Sequence, residues 1–246
     1  MLSPSIFSAI GSAAARVLTL HNYRLFCPAA IPMRAGKVCT DCLDRRSSLP
    51  ALMHGCYRGS RLSTAPLAAS VALHRMLRTW TRHVDAFVVL SAFQKDVMVK
   101  AGLPAELVHV KPNFYPGMPS TVPWRDRRDC VVFAGRLTAE KGVVAMVDAW
   151  LEWGPSAPEL RIVGDGELLS LLEARAAKEP DVRIRFLGQV SEAEAQQEIA
   201  NARLLLLPSE CFEGFPMVVR EAFAFGTPAA VSNIGPLPKI VNEGTN

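Results

Sequence analysis

Residues 204–231 read LLLLPSECFEGFPMVVREAFAFGTPAAV, and they decide the fold. Leu204–Leu207 is a short apolar run closed by Pro208, the signature of a strand buried on both faces. From Pro216 the pattern turns helical, with proline at the first helical position. Gly226-Thr227-Pro228 stops the helix, and Ala229–Val231 is again β-rich. Strand, helix and strand in so few residues is the unit of a parallel sheet covered on both faces.

Working outward, the same alternation runs upstream. Cys130–Ala134, Arg161–Val163 and Arg183–Leu187 are β-rich runs separated by helical stretches, one of which opens on Ser191 and Glu194 in capping-box spacing. A further helix is expected at Leu237–Val241. Before this region lies PNFYPGMPSTVP (Pro112–Pro123), whose four prolines and glycine make a stiff, extended connector. The expected organisation is a first lobe over residues 1–116, a linker over 117–124 and a second lobe over 125–246.

The first lobe also reads as α/β. Val17–Leu20, Asp85–Leu90 and Val108–Val110 are strand candidates. Leu73, Leu77, Trp80 and Val84 share a stripe that predicts one helix over Pro66–Val84, and Ser91 with Gln94 marks another helix start. A self-sufficient doubly wound unit usually has five or six strands. The first lobe is therefore expected to be incomplete and the second to stop before its C-terminal end.

Composition narrows the class. The chain has 246 residues, half of them hydrophobic and 20% charged, which excludes a disordered chain. No uncharged apolar run reaches the ~18 residues needed to span a bilayer, and residues 1–15 lack the basic start of a secretory signal, so a cytoplasmic location is expected. Residues 1–124 hold 14 Lys/Arg against 5 Asp/Glu, whereas residues 125–246 hold 13 against 18. The basic half suits an anionic acceptor or peripheral association with a membrane face; charge scatter over two ordinary surfaces is the alternative. No like-charge block or aromatic-interleaved basic stripe suggests nucleic acid.

In an open parallel sheet, ligands sit beyond the carboxyl ends of the strands. Four such turns here carry glycine and polar residues: Gly135–Gly142, Gly164–Glu167, Pro208–Pro216 and Ser232-Asn233. Gly214 and Phe215 precede a helix opening at Pro216, whose free N–H groups form an anion site. Glu213 and Glu221 are placed to meet one ligand at different depths, as hydroxyl-binding carboxylates do. Arg136 and Lys141, five apart, could complete a diphosphate clamp. Ordinary βα turns, a solvated charged turn and a partly exposed helical Glu221 are the plainer readings. His21 follows a strand directly, where a satisfied structural histidine is the plain alternative to an active-site role.

GRLTAEKG, VGDGE and PSECFEGFPMVVREAFAFGTP, with Glu-x7-Glu, resemble the donor domain of retaining GT-B glycosyltransferases, most closely family 4, the "glycosyl transferases group 1" domain. The likeness covers about residues 127–241. LTLHNYRLFCP, KVCTDC and HGCYRGSRLSTA resemble the acceptor-side domain of some bacterial members. The resemblance implies two Rossmann-like lobes and a catalytic group of His21, Arg136, Lys141 and Glu213. It assigns the donor to Gly135, Arg136, Lys141, Gly164, Glu213, Gly214, Phe215, Pro216 and Glu221. Arg136 and Lys141 would hold the diphosphate, Glu213 the sugar, Glu221 the ribose, and His21 the opposing wall. Pro236 and Lys239 stand where the family often has glycine and an acidic residue.

Cys27, Cys39, Cys42 and Cys56 follow C-x11-C-x2-C-x13-C. Cys39-x2-Cys42 is knuckle spacing for a structural zinc, with His54 as a substitute ligand; free thiols are the alternative. The expected activity is transfer of a sugar from a nucleotide-diphosphate sugar to a glycan, lipid-linked or small-molecule acceptor, with retention of configuration, in polysaccharide biosynthesis. No cofactor is needed for that chemistry. The rival expectations are a non-catalytic nucleotide- or sugar-binding module and a zinc-stabilised interaction protein.

Overall fold

The computed structural model describes residues 4, 6–9, 14–242 and 244. The chain divides into Met1–Pro112 and Asn113–Asn246, a boundary four residues before the one expected at 116/117. The proline-rich connector goes with the second unit. Asn113 Nδ2 donates to the Phe215 carbonyl (2.9 Å), Tyr115 Oη lies 3.2 Å from Gln196 Oε1, and the Tyr115 ring packs edge-on to Phe225.

In the first unit, α1 (Ile6–Ala9) precedes β1 (Val17–Leu20), and β2 (Met33–Arg34) and β3 (Lys37–Val38) form a small antiparallel hairpin. Then come α2 (Asp41–Asp44), α3 (Leu49–His54), α4 (Arg61–Met76), α5 (Thr79–His83), β4 (Ala86–Val89), α6 (Ala92–Lys100) and β5 (Val108–Val110). The main sheet is parallel in the order β1-β4-β5. Its three strands are the three read from the sequence, with Phe87, Val89 and Val108 fully enclosed.

The single helix expected over Pro66–Val84 is not formed. α4 starts earlier, where Ser60 caps it by accepting from the Ser63 N–H, and the helix runs through Pro66 in its second turn. It ends at Met76, where Leu77 and the left-handed Arg78 (φ 53°) turn the chain into α5. The predicted stripe is split: Trp80 and Val84 are buried, whereas Leu73 and Leu77 are about half exposed.

The second unit contains β6 (Arg128–Ala134), α7 (Val143–Trp153), β7 (Glu159–Val163), α8 (Leu169–Ala176), β8 (Ile184–Gly188), α9 (Glu192–Asn201), β9 (Ala202–Leu207), α10 (Met217–Ala224), β10 (Ala229–Val231) and α11 (Leu237–Ile240). All five strands pair in parallel, in the order β10-β9-β6-β7-β8. β6 is central and Cys130–Ala134 is buried on both faces, as the unbroken apolar run requires. Leu160, Ile162, Leu205 and Leu207 extend the same core. The capping box at α9 forms as expected, Ser191 and Glu194 satisfying each other's backbone N–H groups.

Buried Arg127 ties the lower edge of this unit together. Its guanidinium donates to the carbonyls of Val122, Ala202, Phe225 and Gly226 and to the Thr227 hydroxyl. It thereby satisfies the C-terminal carbonyls of α10 and pins the connector beside them. Among the described residues, no helix is long and apolar enough to cross a membrane.

Candidate functional site

From β6 the chain adds β7 and β8 on one side, then crosses back to add β9 and β10 on the other. The sheet therefore reverses between β6 and β9. Loops leaving such a switch point diverge onto opposite faces and open a crevice. The two loops there are Gly135–Gly142 and Pro208–Pro216, the segments singled out in the sequence.

These loops are bonded to each other. The Glu210 N–H donates to the Glu140 carbonyl at 2.9 Å. Gly142 is left-handed (φ +68°), and a Cβ on it would lie 2.0 Å from the Pro208 carbonyl oxygen, so the loops touch where only glycine fits. The third loop is laid against the first in the same way. Leu137 N–H donates to the Asp165 carbonyl, and a Cβ on Gly164 (φ +128°) would lie 2.0 Å from the Gly135 carbonyl oxygen.

Lys141 and Glu213 meet at the centre. Lys141 Nζ stands 2.7 Å from Glu213 Oε1, and the buried Ser209 hydroxyl donates to the same oxygen at 2.6 Å. The two charged side chains are only 18% and 12% exposed, so the pair is sheltered yet reachable. Arg136 is 68% exposed and pairs with Glu140 at 3.2 Å. The two expected clamp cations are thus in one loop layer but are not brought together: each is engaged by a different glutamate.

Pro216 is the N-cap of α10 rather than its first helical residue, and no side chain caps this terminus. Its first N–H groups point beyond the strand ends beside the Glu213–Phe215 turn, which Asn113 steadies through the Phe215 carbonyl. Glu221, one turn further along α10, is half-buried. Burial holds its carboxyl above the usual carboxylate range, opposed by a hydrogen bond from Gln196 and reinforced by the charge of Glu192. Glu213 and Glu221 therefore have separate neighbours, the first in the loop layer and the second against α9.

Cys211, two residues before Glu213 in the same loop, is buried. Desolvation and then the charge of Glu213 push its thiol up to about 12, so it stays neutral and is no nucleophile. In the first unit, His21 is exposed directly after β1. It lines a half-open cavity of about 310 Å³ with Thr19, Asn22, His74 and Trp80. The four first-half cysteines line one small cavity; His54 is exposed and is not among its lining residues. Among the described residues, no three His, Cys, Asp or Glu side chains are already arranged around a metal position.

Sequence reasoning missed Ser209, Asn113 and Gln196. Ser209 sits within the quoted motif, four residues before the carboxylate it serves, so spacing could have found it. Asn113 and Gln196 are remote in sequence and reach the site through the fold alone.

Comparison with known proteins bears on this geometry. The family model described as "Glycosyl transferases group 1" matches residues 119–246. Glycogen synthase of Mycobacterium tuberculosis is 30% identical over 189 residues, covering 72% of this chain and 44% of that protein. Among solved structures, Anabaena HepE in complex with UDP matches 98% of this chain and 58% of its own, with TM-score 0.66 and 18% identity. The apo form of the lipopolysaccharide outer core galactosyltransferase WaaB matches 67% of this chain and 48% of its own, with TM-score 0.54 and 28% identity. The fold is thus that of GT-B glycosyltransferases. The chain spans between 32% and 44% of the length of the first curated relatives it matches.

Proposed function

Because the chain belongs to the glycosyl transferases group 1 family, we propose that its second unit binds a nucleotide-diphosphate sugar for transfer to an acceptor with retention of configuration. The observation that carries this is the joined pair of loops at the switch point, where Lys141 meets Glu213 beside the uncapped start of α10. The solved relative bound to UDP supports uridine as the base.

In this reading the diphosphate lies against the N–H groups of α10, with Lys141 and Arg136 as its cations. As the bond from the anomeric carbon to the diphosphate oxygen breaks, its electron pair goes to the diphosphate. These groups stabilise the charge that develops there, the place a divalent metal holds in other transferases. The acceptor oxygen bonds to the anomeric carbon on the face the diphosphate leaves, and its proton passes to a departing phosphate oxygen. Glu213, displaced from Lys141 by the diphosphate, turns to the sugar, whose ring gains cationic character. Glu221 takes the ribose diol. The acceptor is a glycan, a lipid-linked sugar or a small molecule.

Calorimetric titration of the chain with UDP, GDP and ADP, then with the matching hexose conjugates, tests the reading. One nucleotide diphosphate should bind in preference to the others, and Lys141→Met should weaken it. A folded chain that binds none of the three refutes it.

A further inference from the structure

The most unusual part of the molecule lies far from the donor loops in sequence. Between the end of β1 and the start of α4, forty residues hold only two-residue strands and helices of four and six residues. Yet Tyr23, Phe26, Cys27, Cys42, Leu43 and Ala51 are buried. Of the non-glycine residues with left-handed backbone among those described, Ala30, Ala35, Arg46 and Arg58 all fall here, Arg78 being the other. A segment with so few backbone ladders, holding uncommon conformations, is one that a cross-link would help to define.

Cys27, Cys39, Cys42 and Cys56 supply one. They come from three separate stretches: the coil after β1, the step from the β2–β3 hairpin into α2, and the residue after the left-handed Gly55 that ends α3. All four line a single cavity, with Arg34 and Asp41 beside them. None is in a disulfide. The cavity has room for about 10 Å³, the scale of one water or a single ion rather than of an organic ligand.

We propose that this cavity holds one structural zinc ion on the four cysteines. The Cys27 sulfur is held beside the Ile31 carbonyl, 3.8 Å away, at the wall of this cavity. Arg34 faces Cys39 and Cys56 and is fixed by Asp41 at 2.8 Å, so one cation offsets part of the surplus negative charge of a four-thiolate site. The four residues line one cavity without yet being arranged around a metal position, so binding draws the sulfurs to zinc bonds of about 2.3 Å and releases the thiol protons to solvent. The ion's role is to hold the insert that begins at His21, and it takes no part in transfer. The inference is independent of the donor reading.

The test is elemental analysis of the 246-residue chain, expressed with zinc in the medium and gel-filtered in reductant without chelator. About one zinc per chain is expected, falling below a tenth in Cys27→Ser and Cys42→Ser while Cys130→Ala keeps it. Cobalt(II) exchanged into the parent should give the intense visible bands and sulfur charge transfer of a tetrahedral four-thiolate site. That measurement decides the matter if the serine variants do not fold. A folded parent with under a tenth of an equivalent of zinc overturns the proposal. So does a cobalt spectrum without thiolate charge transfer, bound iron in place of zinc, or a disulfide among the four.

Discussion

Neutralising Glu213 should tighten the binding of free UDP, although Glu213 belongs to the proposed donor site. The structure gives the reason. Lys141 Nζ is 2.7 Å from Glu213 Oε1, with both side chains largely sheltered. At an effective dielectric of 20, that separation corresponds to a gross attraction of about 6 kcal/mol. Desolvation of both groups offsets most of it, leaving a net coupling of about 1–3 kcal/mol. A diphosphate must win Lys141 from this carboxylate and then tolerate the negative charge beside it. Glu213→Gln removes both obstacles, so the UDP dissociation constant should fall about 3- to 30-fold, corresponding to about 0.7–2 kcal/mol of the net coupling. Turnover with a hexose conjugate of UDP should drop, since the contact to a cationic ring is made mainly in the transition state. Lys141→Met should act oppositely on UDP, weakening it at least tenfold through loss of a charged hydrogen bond. It should also destabilise the second unit by about 2 kcal/mol, because Glu213 is left sheltered with only Ser209. The double variant should recover at least half of that loss. Calorimetry with UDP and urea unfolding followed by tryptophan fluorescence measure these effects; Trp124, Trp150 and Trp153 all report on this unit. Weaker UDP binding by Glu213→Gln, or strictly additive stabilities in the double variant, would refute the coupling.

Gly142→Ala should cost at least about 2 kcal/mol of stability, since it combines a left-handed alanine with a Cβ 2.0 Å from the Pro208 oxygen; a urea midpoint equal to the parent's would contradict the loop contact. Arg127→Ala strips five acceptors of their donor at the base of the unit and should cost about 3 kcal/mol in the same assay, with Arg127→Lys recovering only part. Glu221→Gln should lower UDP affinity about tenfold while leaving stability at neutral pH unchanged or raised. The folded carboxyl is held above its ordinary value, so its protonated form contributes stability that is whole below the ordinary glutamate range and is lost as pH rises through the raised value. The glutamine variant should lose that pH dependence; a parent-like pH profile of unfolding would contradict the burial argument. Arg45, Arg46, Arg58 and Arg61 are all exposed, and near anionic lipid each is worth about 1 kcal/mol. Flotation with phosphatidylserine vesicles should show binding that high salt abolishes, and absence of binding at low salt would remove the membrane reading.

The legible parts of this protein were those fixed by local pattern. Cys130–Ala134 and Leu204–Leu207 are too short and too uniformly apolar to be anything but inner strands, and glycine-bearing turns follow each of them. The capping box at Ser191 and the stop at Gly226 act within one turn of the chain, so spacing alone reveals them. Where two local rules competed, the reading failed: Pro66 looked like a helix start, but the Ser60 cap lies upstream and the helix tolerates the proline. The site was legible as a set of residues and illegible as a set of pairs. Arg136 and Lys141 share a loop, yet sequence spacing says nothing of which carboxylate each will meet. Strand order supplies that, by setting the β6 and β9 loops side by side so that Lys141 finds Glu213 across 72 residues. Glu221 shows the same limit in energetic form. Its position on α10 was evident, but its burial against Gln196 depends on how α9 and α10 cover the sheet. A carboxylate kept half-buried, with Gln196 offsetting only part of the cost, suits the proposed binding role, since a donating ligand offsets more of it.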